Sequence, residues 1–350
     1  MSPSPGLPMG RSAGALALLA DIGGTNVRFA LAEPASDAPL QDQSVRQYEV
    51  AAFPNLHGAA LHYLEEMHAP RPASGVFAVA GRIDGDVARI TNHPWLISRR
   101  DTAGALGLSR LRLVNDFAAQ AMAIELLEGD DLVRLGAPDW KHPPAHDANF
   151  AVIGPGTGLG VSALIVRDGR GVALETEGGH AAFAPHGDAE TAVLKRLAAR
   201  YDRVSNERLI SGGGLVNIHR ALSELEGAGV GELRPRDITA AADAGDDRAR
   251  RAVEMFCAVF GAVAGDLVLT LGAWDGVFLT GGLVPRLLPR LQGPAFRARF
   301  EAKGRFAEAM SRVPTMAVVH PQAGLLGAAA FAAQDAHAAP HPAAGVARAS

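Results

Sequence analysis

The sequence predicts an α/β chain of about two domains, on three observations. Its 350 residues suffice for two separately buried cores. Two glycine-rich turns recur, each between two apolar runs: Ala20-Asp21-Ile22-Gly23-Gly24-Thr25-Asn26 within residues 16–32, and Gly154-Pro155-Gly156-Thr157-Gly158-Leu159-Gly160 within residues 150–166. Around them, short apolar runs of strand length alternate with segments of helical periodicity.

Each turn with its flanks reads as a β-hairpin, and the pair suggests two related halves. Glycine has no Cβ, so the backbone can take φ > 0 and approach a ligand closely. The threonine in each turn can offer a hydroxyl to a phosphate. Residues 45–50 alternate weakly, as a third strand does. Leu56, Ala60, Leu64 and Met67 recur at helical spacing, predicting a helix over 55–68 that Pro70 and Pro72 end. Residues 75–80 are apolar throughout, as in a parallel strand buried on both faces. Residues 91–95 form a polar loop with Trp95 as aromatic anchor. The strand over 111–114 ends in Asn115-Asp116 and passes at once into a helix through Ala118, Met122, Ile124 and Leu126. That strand end is where open α/β sheets bind ligands.

Residues 140–149 read as a surface loop, and Asp168-Gly169 as the turn into a strand over 172–176. Glu177-Gly178-Gly179-His180 is a polar loop closed by Phe183 and Pro185. From 188 the chain becomes mostly helical: 188–201, a short helix through Asn206-Glu207-Arg208 capped by Ser205, then 215–225 after a break at Ser211-Gly212-Gly213-Gly214. The longest helix covers 247–271 with one apolar stripe. A strand over 277–279 ends in Thr280-Gly281-Gly282, and a strand over 316–319 and a helix over 325–333 follow. Residues 1–14 and 335–350 read as a disordered arm and tail.

A formal net charge of -4 and a pI near 6.3 argue against nucleic acid as a partner. The 48% hydrophobic content and mean hydropathy of +0.09 fit a soluble globular protein. No unbroken apolar run reaches the roughly 18 residues of a membrane span. A single cysteine, Cys257, excludes a disulfide framework and a multi-cysteine zinc site, and points to the cytoplasm. Cys257 and His219 fall on apolar helix faces as packing residues, and the histidines show no metal-ligand spacing.

Neither turn is a P-loop, since no Gly-Lys-Ser/Thr follows, and neither is a dinucleotide fingerprint, since each leads into a strand. Two such hairpins facing each other would make a phosphate clamp from Ala20, Asp21, Ile22, Gly23, Gly24, Thr25, Gly156, Thr157 and Gly158. Asp21 is the type of ligand that holds a hydrated Mg²⁺. Gly281 and Gly282 leave a strand end against which a base and ribose can lie flat. Asn115, Asp116, Glu177, His180 and Glu207 suit hydrogen bonding to adjacent hydroxyls of a neutral polyol, and the loops that carry them are poor in Lys and Arg. Asp116 is the candidate base. Taken alone, Asp116 could simply cap the helix after it, Glu177 and His180 could be a solvated turn, and Glu207 a helix-start carboxylate.

Asp21-Ile-Gly-Gly-Thr-Asn-Val-Arg-Phe-Ala resembles the first phosphate motif of the actin-like sugar kinases. Further motifs are Thr91-Asn-His-Pro-Trp, Val114-Asn-Asp-Phe, Gly154-Pro-Gly-Thr-Gly-Leu-Gly, Glu177-Gly-Gly-His-Ala-Ala-Phe-Ala-Pro, Glu207-Arg-Leu-Ile-Ser-Gly and Thr280-Gly-Gly-Leu-Val-Pro-Arg. They follow the family's order over residues 15–333. The chain thus resembles bacterial ATP-dependent glucokinases outside the repressor/open-reading-frame/kinase group, whose cysteine-rich zinc motif a single cysteine rules out.

The resemblance implies a two-domain actin-like ATPase (ribonuclease H-like) fold with the active site in the cleft. A small α/β domain would cover 15–125 plus 323–334, and a larger α+β domain 126–322. It implies ATP, Mg²⁺ and D-glucose as ligands, with phosphoryl transfer to the 6-hydroxyl. Asn115, Asp116, Glu177, His180 and Glu207 would hold the sugar, with Asp116 as base, and residues 20–25 and the second turn would hold the nucleotide. It also implies a cytoplasmic homodimer. Ala20 stands where that family usually has Gly. A kinase for another hexose, a sugar-sensing regulator without kinase activity, and a phosphatase or ATPase of the same fold remain open alternatives.

Overall fold

The computed structural model describes residues 16–90, 93–136, 138, 140, 147–229 and 231–338. The arm over 1–14, Thr91 and Asn92, most of the 140–149 loop and the tail from 339 lie outside the described residues. The chain divides into two compact units, Met1–Asp116 with Ala328–Ser350, and Phe117–Gly327.

In the first unit, β1 (Ala17–Ile22) and β2 (Asn26–Ala32) form the hairpin around the first glycine turn. β3 (Arg46–Glu49) pairs with β2 at the edge. α1 (Leu56–Glu66) begins where Asn55 Oδ1 accepts the Gly58 N–H at 2.9 Å. β4 (Ser74–Val79) is the unbroken apolar run; it lies parallel to β1 and is buried from Gly75 onward. β5 (Gly81–Asp84), β6 (Val87–Ile90) and β7 (Leu96–Ser98) form a small antiparallel sheet. α2 (Arg99–Leu106) follows, capped by Ser98 Oγ on the Asp101 N–H and ended by Gly107 at φ 68°. β8 (Arg110–Asn115) pairs parallel with β4, completing the order β3-β2-β1-β4-β8.

α3 (Asp116–Met122) and β9 (Leu132–Arg134) come next. In the second unit β10 (Ala148–Pro155) and β11 (Leu159–Arg167) are the hairpin around the second glycine turn. Asp168 and Gly169, both at positive φ, turn the chain into β12 (Arg170–Glu175). Then come α4 (Gly187–Tyr201), α5 (Gly212–Leu225), α6 (Pro235–Asp243), α7 (Asp247–Leu271) and β13 (Gly276–Leu279). The chain ends with α8 (Val284–Leu291), α9 (Pro294–Glu301), α10 (Ala307–Ser311), β14 (Thr315–Val318) and α11 (Ala323–Ala338). The sheet order is β12-β11-β10-β13-β14-β9, with β10, β13 and β14 mutually parallel. An antiparallel edge strand, a glycine hairpin and two parallel strands therefore appear in the same order in both units, the halves that the paired turns suggest.

α7 has the length and composition of a membrane span, yet its stripe through Val253, Phe256, Cys257 and Phe260 lies in the core of the second unit. Burial pushes the Cys257 thiol up to about 12, so it stays protonated as a packing residue. α9 packs tightly on α7: a Cβ on Gly261 would stand 2.0 Å from the Phe296 carbonyl oxygen. Glu190 on α4 is buried against Arg299 on α9 and also accepts the His186 N–H at 2.7 Å.

Three expectations need correction. Ser211-Gly212-Gly213-Gly214 is not a break but the start of α5, with Ser211 Oγ accepting the Gly214 N–H at 2.9 Å. Glycine is required there because a Cβ on Gly214 would lie 2.4 Å from the Leu209 carbonyl. Ser205 precedes the short helix over 206–208 without a capping bond from its side chain; its backbone instead bridges Ala182. The last helix runs past 335, because Asp335 pairs with Arg110 and Arg112 at 3.0 Å each and Arg112 lies 4.2 Å over the Phe331 ring.

Candidate active site

In the first unit, β1, β4 and β8 run parallel, so their C-terminal ends share one sheet edge. Ile22 is in register with Val79, and Val79 with Asn115. The first glycine turn and the Asn115-Asp116 pair thus sit two strand spacings apart, about 10 Å. The turn is tied by Gly23 N–H to the Asn26 carbonyl at 2.9 Å and by Val50 N–H to the Thr25 carbonyl at 2.9 Å. The side chains of Ala20 and Ile22 are buried in the core, which leaves only their backbone for a ligand, whereas Thr25 is exposed. Asn115 ends β8 and Asp116 opens α3, both half-buried.

Asp21 lies at the end of β1 with Arg28 Nη1 3.3 Å from its Oδ2. Burial pushes the Asp21 carboxyl above the usual carboxylate range, and the Arg28 guanidinium pulls the other way. Among the described residues no group of three or more His, Cys, Asp or Glu could hold a metal on its own. A Mg²⁺ carried by phosphates needs only one or two carboxylates, and Asp21 beside the turn fits that role.

In the second unit, stretches far apart in sequence close on the β10–β11 hairpin. Thr280 N–H donates to the Ile153 carbonyl at 3.0 Å and Leu283 N–H to the Pro155 carbonyl at 3.2 Å. A Cβ on Gly154 would stand 2.5 Å from the Thr280 carbonyl oxygen, and one on Gly281, at φ 88°, 2.7 Å from that of Pro155. The second turn and residues 280–282 therefore lie backbone to backbone. The polar loop lies on the start of β11: a Cβ on Gly179 would stand 2.0 Å from the Leu159 carbonyl oxygen. This loop is joined to the 204–207 segment through Phe183 N–H to Val204 and Asn206 N–H to Ala181, at 3.0 and 2.9 Å. Glu177 and His180 approach to 4.0 Å with both side chains mostly exposed, while Glu207 Oε2 accepts the Leu159 N–H at 3.0 Å.

The structure thus brings Gly156, Thr157, Gly158, Glu177, His180, Glu207, Gly281 and Gly282 around one hairpin, and Ala20 to Thr25, Asn115 and Asp116 onto one sheet edge. Sequence reasoning missed several supports. The Phe117 ring covers Gly160, where a Cβ would lie 1.9 Å from it. Gln120 hydrogen-bonds the Thr280 hydroxyl, and Gly212 N–H donates to the Gly156 carbonyl at 2.9 Å. Phe117 stands beside Asn115-Asp116 and Gly212 closes the run from Glu207, so their places within the motifs were the available signal.

The family model for Glucokinase matches residues 18–335. A glucokinase of Stenotrophomonas maltophilia is 61% identical over 324 residues, covering 92% of this chain and 96% of the relative. One from Xanthomonas campestris pv. campestris is 59% identical with coverages of 92% and 96%. The crystal structure of a glucokinase from an Antarctic psychrotroph superposes with a TM-score of 0.82 at 32% identity, covering 91% of this chain and 99% of that one.

Proposed function

The chain belongs to the glucokinase family and is an ATP-dependent glucose kinase, and on that premise we propose how its residues do the work. Phosphoryl transfer has a loose transition state, so catalysis is mostly alignment and charge stabilisation. Asp116 accepts a hydrogen bond from the 6-hydroxyl of D-glucose and aims an oxygen lone pair at the γ-phosphorus. It takes the proton as the new P–O bond forms and the bond to the leaving ADP oxygen breaks. Asn115, Glu177, His180 and Glu207 hold the remaining hydroxyls. A sugar lacking one of them leaves polar groups unpaired, which discriminates strongly.

Backbone amides of both glycine turns, with the hydroxyls of Thr25 and Thr157, take the phosphates, and Gly281 and Gly282 give the adenosine a flat support. Asp21 is the residue that would hold a Mg²⁺ brought in with the nucleotide. When bound, Mg²⁺ offsets charge on the β- and γ-oxygens. The observation that supports this reading is the parallel register through Ile22, Val79 and Asn115, which puts Asn115 and Asp116 on the same sheet edge as the first glycine turn. We place the protein in the cytoplasm as a homodimer; a single buried cysteine suits a reducing compartment.

The test is ADP release by purified protein with glucose, fructose, mannose, N-acetylglucosamine or no sugar. Release that depends on glucose and is fastest with it is expected. Equal rates without sugar would make the protein an ATPase, and faster turnover of another hexose would reassign its substrate. Light scattering on the eluted peak tests the dimer.

A further inference from the structure

Glu207, assigned above to the sugar, already has a partner in the other half of the reaction. Its Oε2 accepts the backbone N–H of Leu159, the residue that leaves the second glycine turn, at 3.0 Å. A Cβ on Gly158 would stand 2.6 Å from the same oxygen, so the turn is shaped around that carboxylate. The Glu207 backbone is itself held: Ser211 Oγ donates to its carbonyl at 2.8 Å while capping α5 through the Gly214 N–H. At the other end of the turn, Gly212 N–H donates to the Gly156 carbonyl at 2.9 Å. One short segment, residues 207–214, therefore grips the turn on both sides.

We infer that Glu207 is a positioning residue for the nucleotide as well as a sugar ligand, and that through it the two substrates bind cooperatively. This rests on the site assignment proposed above. A carboxylate offers two oxygens and about four acceptor positions. Oε2 fastens the turn and leaves Oε1 for a sugar hydroxyl. A hydroxyl donating to Oε1 fixes the carboxylate in one rotamer, and with it the N–H groups over 156–159 that phosphates require. By linkage, a bound nucleotide then strengthens sugar binding by the same factor.

The experiment is calorimetry with AMPPNP in the absence of sugar, on the wild type, Glu207→Ala, Glu207→Gln and Glu177→Ala. Glu207→Ala should weaken AMPPNP binding about tenfold. Glu207→Gln keeps an amide oxygen that can accept the Leu159 N–H, so most of the affinity should return. Glu177→Ala, whose mostly exposed side chain approaches His180, should bind AMPPNP as the wild type does. Conversely, Gly158→Ala pushes the carboxylate aside and should lower glucose affinity several-fold with no nucleotide present. Wild-type AMPPNP affinity in Glu207→Ala, an equal loss in Glu207→Gln, or unchanged glucose affinity in Gly158→Ala overturns the inference. Should Glu207→Ala fail to fold, judged by circular dichroism, Gly158→Ala decides alone. Failure of the wild type to bind glucose would overturn the site assignment itself, a separate outcome.

Discussion

Asp21 and Arg28 face each other across the β1–β2 ladder, with Oδ2 and Nη1 3.3 Å apart. The pair sits at the mouth of the first glycine turn, and the cost of burying Asp21 outweighs what Arg28 returns, because the carboxyl's pKa is raised. A carboxyl raised in the folded state stabilises the fold fully below its unfolded pKa, and that contribution is lost as pH rises through the folded value. Ionised Asp21 therefore costs stability at neutral pH. Without Mg-ATP, Asp21→Asn should melt higher than the wild type at pH 7, with the gap closing toward pH 4. Its turnover should fall by about 10²-fold. Scanning calorimetry at the two pH values beside a kcat measurement checks both; a lower Tm for the variant at pH 7 would contradict the assignment.

Asp116 opens α3 directly after the last residue of β8. Asp116→Asn keeps the size and the hydrogen-bonding oxygen but cannot take the proton. Turnover should drop by ~10²–10⁴ while glucose affinity stays near wild type. Steady-state kinetics with calorimetry separates the two effects, and near-normal kcat would remove Asp116 from the role of base.

Gly281 and Gly282 look alike in sequence but not in structure. Gly281 has φ 88° and a Cβ there would lie 2.7 Å from the Pro155 carbonyl oxygen, whereas a Cβ on Gly282 meets nothing within 4 Å. Gly281→Ala should destabilise the protein by about 1–3 kcal/mol and raise the KM for ATP. Gly282→Ala should unfold in urea as the wild type does. Identical urea midpoints for the two variants would show that the close approach at Gly281 carries no energy.

The Glu190–Arg299 pair joins α4 to α9 with side-chain exposures of 7% and 20%. Glu190→Ala strands the Arg299 charge and removes the acceptor of the His186 N–H. A loss of about 3–5 kcal/mol is expected, read from urea unfolding, with KM for both substrates unchanged. A change below 1 kcal/mol would place the pair in solvent-like surroundings.

Much of the fold was legible because periodicity is a local property. The apolar run of β4, the helical spacing of α1 and the stripe of α7 each state their burial in consecutive residues. The strands β5 to β7 were not legible: each has three or four residues, and β5 and β6 interrupt their apolar residues with Arg82 and Arg89, too short a pattern to stand out. Helices α8 and α9 were hidden by prolines, which serve at Pro285 and Pro294 as first-turn residues. The glycines at 212–214 read locally as a breaker, because the Leu209 carbonyl that demands Gly214 is a contact that spacing does not encode.

What the sequence determined by itself was the chemistry: two glycine turns with threonines, the Asn115-Asp116 strand end, and a polar loop without cations. Residue type and immediate neighbours suffice for that. Tertiary structure alone decided which of these groups meet. Glu207 reaches the Leu159 N–H across 48 positions of chain, Gly179 rests on the Leu159 carbonyl, and Asn115 shares an edge with Ile22 through β4. Sheet register and the close approach of backbones set those meetings, and both depend on partners distant in the chain, to which a local pattern has no access.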